Sequence, residues 1–308
     1  MGFSSEWTPI HSREEARAIV ENQSATYPIR ELSPSATLAD AIALHWPEYL
    51  FEGLELGAFM LSACAFGTLL FYSESPIVTW LPSAVLRLVL MGIAMGGTAI
   101  AIILSPMGRR SGAHFNPVVS FTFFCLGKMH RLDALLYIAS QFLGGAFGVV
   151  IARILLGPQL ASPSVRYVVT VPGQYGVPLA FLAEFFMGLL TMTVVLQSSN
   201  RQRLSRITWL LVGLLVATYV IAFSPVSGFS LNPARTISSA LFAGVWTAMW
   251  LYFTAPLLGM LLAALLYVFF FGSQAVFCAK IYHDLHSPCP FRCRFQRLAQ
   301  PEPSASHS

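Results

Sequence analysis

Charge is what this sequence has least of. Of its 308 residues, 10% are Asp, Glu, Lys or Arg and 56% are hydrophobic, with a mean hydropathy of +0.65. A soluble domain carries about 25% charged residues. The composition therefore excludes a soluble fold and implies one polytopic membrane domain with polar tails. A net charge of +4 is too small to imply a nucleic-acid partner. Cysteine is sparse too. Cys64 and Cys125 lie in apolar segments and Cys278, Cys289 and Cys293 lie near the C-terminus. This odd number, so placed, excludes a disulfide framework. The first residues include Glu6, Glu14 and Glu15 and no apolar core, so no signal peptide is expected.

What the chain does have is long apolar runs. A membrane-spanning helix needs about 20 apolar residues. Six windows qualify: Tyr49–Phe71, Ala84–Leu104, Ala134–Leu156, Val177–Leu196, Ile207–Phe223 (the shortest) and Val245–Phe271. Two other runs, Pro117–Leu126 and Pro233–Phe242, have 10 residues each. At about 1.5 Å per residue such a run covers half of a ~30 Å hydrocarbon core. Each begins with Asn-Pro, a strong N-cap followed by the residue best suited to the first helical position. The short runs thus read as half-membrane re-entrant helices capped by Asn116 and Asn232.

The two Asn-Pro sites belong to one pattern, Ser-Gly-x-x-x-Asn-Pro, at Ser111–Pro117 and again 116 positions on at Ser227–Pro233. Three spans with a half-helix between the second and third, repeated once, form an inverted repeat. The expected fold is an all-α membrane protein with six transmembrane helices and two half-membrane re-entrant helices. Residues 1–47 read as a polar, disordered tail in which Arg13–Asn22 could form a short helix. Residues 48–274 read as the membrane domain, with repeats at 48–157 and 177–274, and residues 275–308 as a second tail. Placing both termini in the cytoplasm puts fourteen of the eighteen Lys and Arg inside, as the positive-inside rule requires.

These boxes, with Arg235 after the second and Trp250–Gly259 in the last span, resemble the aquaporin (major intrinsic protein) family over about Tyr49 to Gly272. The resemblance implies a passive channel for water and small neutral solutes such as glycerol, urea, ammonia or hydrogen peroxide. It implies no cofactor, a bilayer environment (a plasma or inner membrane) and a homotetramer. The box residues would be Asn116, Pro117 and Val118 in the first half and Asn232, Pro233 and Ala234 in the second. Val118 departs from the family's Ala. The asparagine amides and the two helix N-termini, each carrying about half a positive charge, would face the midplane of a pore. The backbone of Gly112, Ala113, His114 and Phe115, and of Gly228, Ser230 and Leu231, would line it with carbonyls.

In the family one glutamate in each half holds the re-entrant loop. Glu184 fits this role in the second half, and Glu52 and Glu55 both fit it in the first. Counting back without gaps from the boxes places the narrow filter at Gly96, Val220, Phe229 and Arg235, with Tyr219 the alternative to Val220. Gly and Val there suggest a wider, less polar opening than a water-only channel has. Thr236, Ala240 and Tyr252-Phe253 look instead like the water-channel branch, so both substrate classes stay open. Alternatives of other kinds are a glycerol-facilitator-like channel, a structural or adhesive membrane protein with a closed pore, and an intramembrane enzyme. Short outer loops and the lack of clustered nucleophiles argue against the last two. His283, His286, Cys289 and Cys293 are four soft ligands in the C-terminal tail. Such a spacing could bind zinc; a basic cytoplasmic tail near lipid headgroups, with a palmitoylated Cys, explains the residues without a metal, and no metal is expected.

Overall fold

The computed structural model describes residues 29–283 and 286–296. The short helix expected at Arg13–Asn22 lies outside them. Ten α-helices are described: α1 (Leu38–Phe71), α2 (Pro76–Trp80), α3 (Ala84–Leu104), α4 (Pro106–Ser111), α5 (Pro117–Cys125), α6 (Arg131–Leu156), α7 (Gly176–Ser199), α8 (Thr208–Ser227), α9 (Pro233–Ala243) and α10 (Met249–Phe271). Six of them, α1, α3, α6, α7, α8 and α10, are long and apolar enough to cross a membrane. Helices α5 and α9 have 9 and 11 residues, half of a crossing.

The first span starts earlier than its apolar window. Thr37 and Asp40 form a reciprocal capping box, with the Thr37 N–H donating to Asp40 Oδ2 at 2.8 Å. Ten residues expected in a disordered tail, 38–47, are therefore the first turns of α1. The fifth span also runs longer than its window, to Ser227 through Pro225.

Glycines set the helix crossings. Added Cβ atoms at Gly144 and Gly148 of α6 would run into the backbone of Gly53 and Gly57 of α1. The second repeat does the same with Gly188 of α7 and Gly259 of α10. In lipid, where apolar burial gives little drive for helix association, such close backbone approach supplies the packing. Large apolar side chains such as Leu143, Phe147, Ile154, Phe186, Leu265 and Phe269 remain exposed on the outer wall, as suits a surface against acyl chains.

The last described segment is not a loose tail. Residues 276–283 and 286–295 lie on the end of the bundle that carries α4 and the start of the first box. There the Ile281 N–H donates to the Gly112 carbonyl at 3.1 Å and the Arg292 N–H to the Lys128 carbonyl at 3.1 Å. Ile29 pairs with Cys289, and Arg30 N–H donates to the Cys289 carbonyl at 3.0 Å. The N-terminal and C-terminal described segments thus share one face of the molecule.

Candidate functional site: the two re-entrant boxes

The boxes meet at the centre of the bundle. Pro117 and Pro233 open α5 and α9, where a missing N–H costs nothing. Asn116 Oδ1 accepts from the Val118 N–H at 2.9 Å, and Asn232 Oδ1 accepts from Ala234 and Arg235 N–H, both at 3.1 Å. Each oxygen is thereby used as a cap. The amide nitrogens cross over. Asn116 Nδ2 donates to the Leu231 carbonyl at 2.9 Å and Asn232 Nδ2 to the Phe115 carbonyl at 2.7 Å. An Asn amide has two N–H donors, so each box keeps one donor beyond its exchange with the other. Val118 is buried beside its box and leaves the cap intact.

The chain entering each box is contorted. Gly112 and Gly228 take φ of 105° and 76°, and Ala113, Phe115, Phe229 and Leu231 follow at 56°, 30°, 45° and 54°. Non-glycine residues in this left-handed region cost about 1–3 kcal/mol each and persist only where their surroundings hold them. Here buried carboxylates do so. Glu52 Oε1 accepts from His114 N–H at 2.9 Å and Oε2 from Phe115 N–H at 2.7 Å. Glu184 accepts from Ser230 N–H at 2.8 Å, Leu231 N–H at 2.7 Å and Ser227 Oγ at 2.7 Å. Bonds to a charged acceptor are worth about 1.5–3 kcal/mol each, enough to offset the strain. Gln141 Nε2 also donates to Glu52 at 2.7 Å.

Glu52 is therefore the counterpart of Glu184. Glu55 takes a side role, accepting among the described residues only from Ser111 Oγ, at 2.8 Å. The symmetry extends outward, for Tyr137 OH donates to the Ser111 carbonyl at 2.8 Å and Tyr252 OH to the Ser227 carbonyl at 2.6 Å.

Two other loop residues differ between the halves. His114 turns towards the C-terminal segment, where Nε2 contacts the Ala279 carbonyl at 2.7 Å and the ring stacks on Phe123 and Phe291 at 5.2 and 5.5 Å. The Gly112 carbonyl is held by Ile281 N–H. That carbonyl has a partner from the chain itself, unlike a free rung in a ladder of acceptors.

Of the expected filter residues, Arg235 is buried in the first turn of α9 and its Nη1 has no protein hydrogen-bond partner among the described residues. Phe229 lies against Tyr219, with ring centroids 5.9 Å apart. Val220 is buried in the same interior cluster as Phe115 and Phe229. Gly96 is elsewhere. An added Cβ there would lie 2.6 Å from the Gly213 carbonyl and 2.9 Å from the Ala217 Cβ of α8. Gly96 is a helix-crossing residue, and a side chain at 96 would point into α8. Its neighbour Met95 is buried in the interior cluster with Val220 and Phe229.

A model of the major intrinsic protein family matches residues 52–267, which spans both boxes and both loop glutamates. The chain belongs to that family. Within it, Aquaporin NIP2-3 of Zea mays is 29% identical over 189 residues, 60% of each chain. Aquaporin-8 of Rattus norvegicus is 30% identical over 186 residues, 58% of this chain and 68% of that one. The chain thus spans about three fifths of the length of the maize relative. Among solved structures, the aquaglyceroporin from Plasmodium falciparum matches with a TM-score of 0.59 at 20% identity, covering 72% of this chain and 95% of that one. This likeness shows the fold, six spans with two half-helices.

The family match ends at Tyr267, and the C-terminal segment follows it. The structure draws His283, Cys289 and Cys293 together and adds Cys278, which the sequence reading had left out, while His286 is exposed and outside the group. The signal available in the sequence was Cys278 itself, five positions before His283.

Proposed function

We propose that this chain is a passive channel conducting water and small neutral solutes across a membrane, excluding ions and protons. The observation that carries the reading is the exchange between the boxes, Asn116 to Leu231 and Asn232 to Phe115. It fixes two amides at one point and leaves each a single donor. Two half-helix N-termini add about half a positive charge each at that point. Water passing there finds donors and a field that disfavours cations and protons. Arg235 supplies a further cation-repelling group, and its unpartnered Nη1 is a donor for a passing solute.

The rest of the reading follows from the same family. The narrow region is formed by Met95, Val220, Phe229 and Arg235, with Met95 taking the place expected of Gly96. Three of these four are apolar, and the remaining polar group is the guanidinium. This favours a path that admits small neutral solutes beside water. The channel sits as a homotetramer in a plasma or inner membrane, each subunit with its own pore and both termini cytoplasmic. The names of the maize and rat relatives and the fold of the aquaglyceroporin support the channel class.

Stopped-flow measurements on proteoliposomes, with water, glycerol and urea compared, test the proposal. Glycerol and urea entry above that of empty vesicles supports the wider filter. Water flux alone would restrict the channel to water, and no flux of any kind would overturn the channel reading.

A further inference from the structure

Four ligands of the kind that bind zinc converge in the C-terminal segment, outside the pore. Cys278, His283, Cys289 and Cys293 are all buried, and one ligand atom from each lies within 4.8 Å of the others. Cys278 Sγ is 3.5 Å from Cys289 Sγ, and His283 Nε2 is 3.1 Å from Cys293 Sγ. Tetrahedral zinc with Zn–S bonds of about 2.3 Å and Zn–N bonds of about 2.0 Å sets ligand atoms about 3.5–3.8 Å apart. These two spacings need only small adjustment, and the remaining ligand atoms lie within 4.8 Å of one another. Three thiolates and one imidazole form a standard ligand set for a structural zinc. The spacing C-x4-H-x5-C-x3-C is compact.

The surroundings favour a bound ion on two further grounds. First, the described residues of the segment, 276–283 and 286–295, contain no long helix or strand to hold their fold. One tie to the membrane domain and two within the segment position the ligands: Phe277 N–H donates to Asn200 Oδ1 at 2.7 Å, Arg294 N–H donates to the Phe277 carbonyl at 2.8 Å, and His283 stacks on Phe295 at 4.3 Å. Second, Lys280 and Lys128 are buried, and neither forms an ion pair with a carboxylate among the described residues. Lys280 Nζ donates to the carbonyl of Pro288, the residue before Cys289, at 2.7 Å. A Zn(II) ion with three thiolates and a neutral imidazole carries a net charge of −1. It would offset these buried cations.

We propose that Cys278, His283, Cys289 and Cys293 form a structural zinc site that knots the C-terminal segment onto the first re-entrant loop. Loading converts three thiols to thiolates and releases three protons to solvent. The knot holds the segment through Ile281 on Gly112, Phe291 and Ala279 on His114, and Lys280 on the carbonyls of Arg109 and Pro288. His286 takes no part.

The test uses the full-length protein, purified in detergent with a thiol reductant and a tag free of histidine, after growth in zinc-supplemented medium. Elemental analysis is expected to give about one zinc per chain. Protein stripped by a chelator and refilled with Co(II) is expected to show thiolate-to-cobalt charge-transfer bands and the d–d bands of a tetrahedral site. His286→Ala and Cys125→Ser keep both signatures, while His283→Ala and Cys289→Ser lose them. If the latter variants fail to fold, the wild-type zinc content and cobalt spectrum decide alone. Zinc-free wild type that also gives no tetrahedral cobalt spectrum overturns the proposal. So does iron or copper in the site, or a Cys278–Cys289 disulfide in freshly thiol-blocked protein. None of these readouts depends on conduction, so failure here leaves the channel reading standing.

Discussion

Asn116 of the first half donates its side-chain amide to the Leu231 carbonyl of the second at 2.9 Å, and Asn232 returns the contact to Phe115 at 2.7 Å. One side chain thus caps its own half-helix and pins the loop of the other. Replacing Asn232 by Ala removes the cap, worth about 1 kcal/mol, and leaves the Phe115 carbonyl without its donor, at about 1–3 kcal/mol. The expected outcome is a protein less stable by about 2–4 kcal/mol with water permeability reduced several-fold. Thermal unfolding in detergent and vesicle shrinkage measure the two effects, and an unchanged melting point would refute the pairing.

The first-half glutamates separate cleanly. Glu52→Gln withdraws a carboxylate from the His114 and Phe115 N–H groups and from Gln141. Glu55→Gln alters one bond, to Ser111. At about 1.5–3 kcal/mol per charge-assisted bond, Glu52→Gln is expected to destabilise by at least about 3 kcal/mol and Glu55→Gln by less than half as much. Equal losses in a denaturation series would mean that the loop is not held as described.

Gly96 and Met95 give opposite signatures. Gly96→Ala sets a Cβ 2.6 Å from a backbone oxygen of α8, so it is expected to lower stability with the glycerol-to-water flux ratio unchanged. If Met95 lines the narrow region, Met95→Ala costs less than the roughly 2–5 kcal/mol of a core truncation and raises the glycerol-to-water ratio. A full core penalty with an unchanged ratio would place Met95 in the packing.

Phe291 lies in the segment that covers His114, 5.5 Å from its ring. Phe291→Ala is expected to loosen this segment and not the channel. Limited trypsin digestion should then cut at Lys280 well before the spans, while wild-type Lys280, buried, resists. Equal cleavage rates in the two proteins would refute the docking.

The six spans and two half-helices were legible because lipid forces long apolar runs, and because Asn-Pro marks a helix start at Asn116 and Asn232 that no longer run could hide. Glu184 was legible for want of a rival. Glu52 was not, since Glu55 sits three residues on along the same helical face and only the loop geometry separates them. At Gly96 the glycine was legible but its packing partner was not, since only the fold brings the Gly213 carbonyl of α8 to within 2.6 Å of where a Cβ would stand. The first turns of α1 were missed because His45, Pro47 and Glu48 interrupt the apolar run, although the Thr37–Asp40 capping box was written there. The C-terminal cluster was half seen. Cys278 sits close behind the last span, and the fold of the segment, not its composition, brings it to His283, Cys289 and Cys293.

The central claim is that the exchanged asparagines and two converging half-helices make a water path closed to protons. Water and proton fluxes measured on the same reconstituted vesicles test it most directly. The account predicts osmotic water permeability well above that of empty vesicles, with proton leakage no greater than theirs. Water permeability equal to the empty vesicles, or a proton leak that rises with it, would contradict the account.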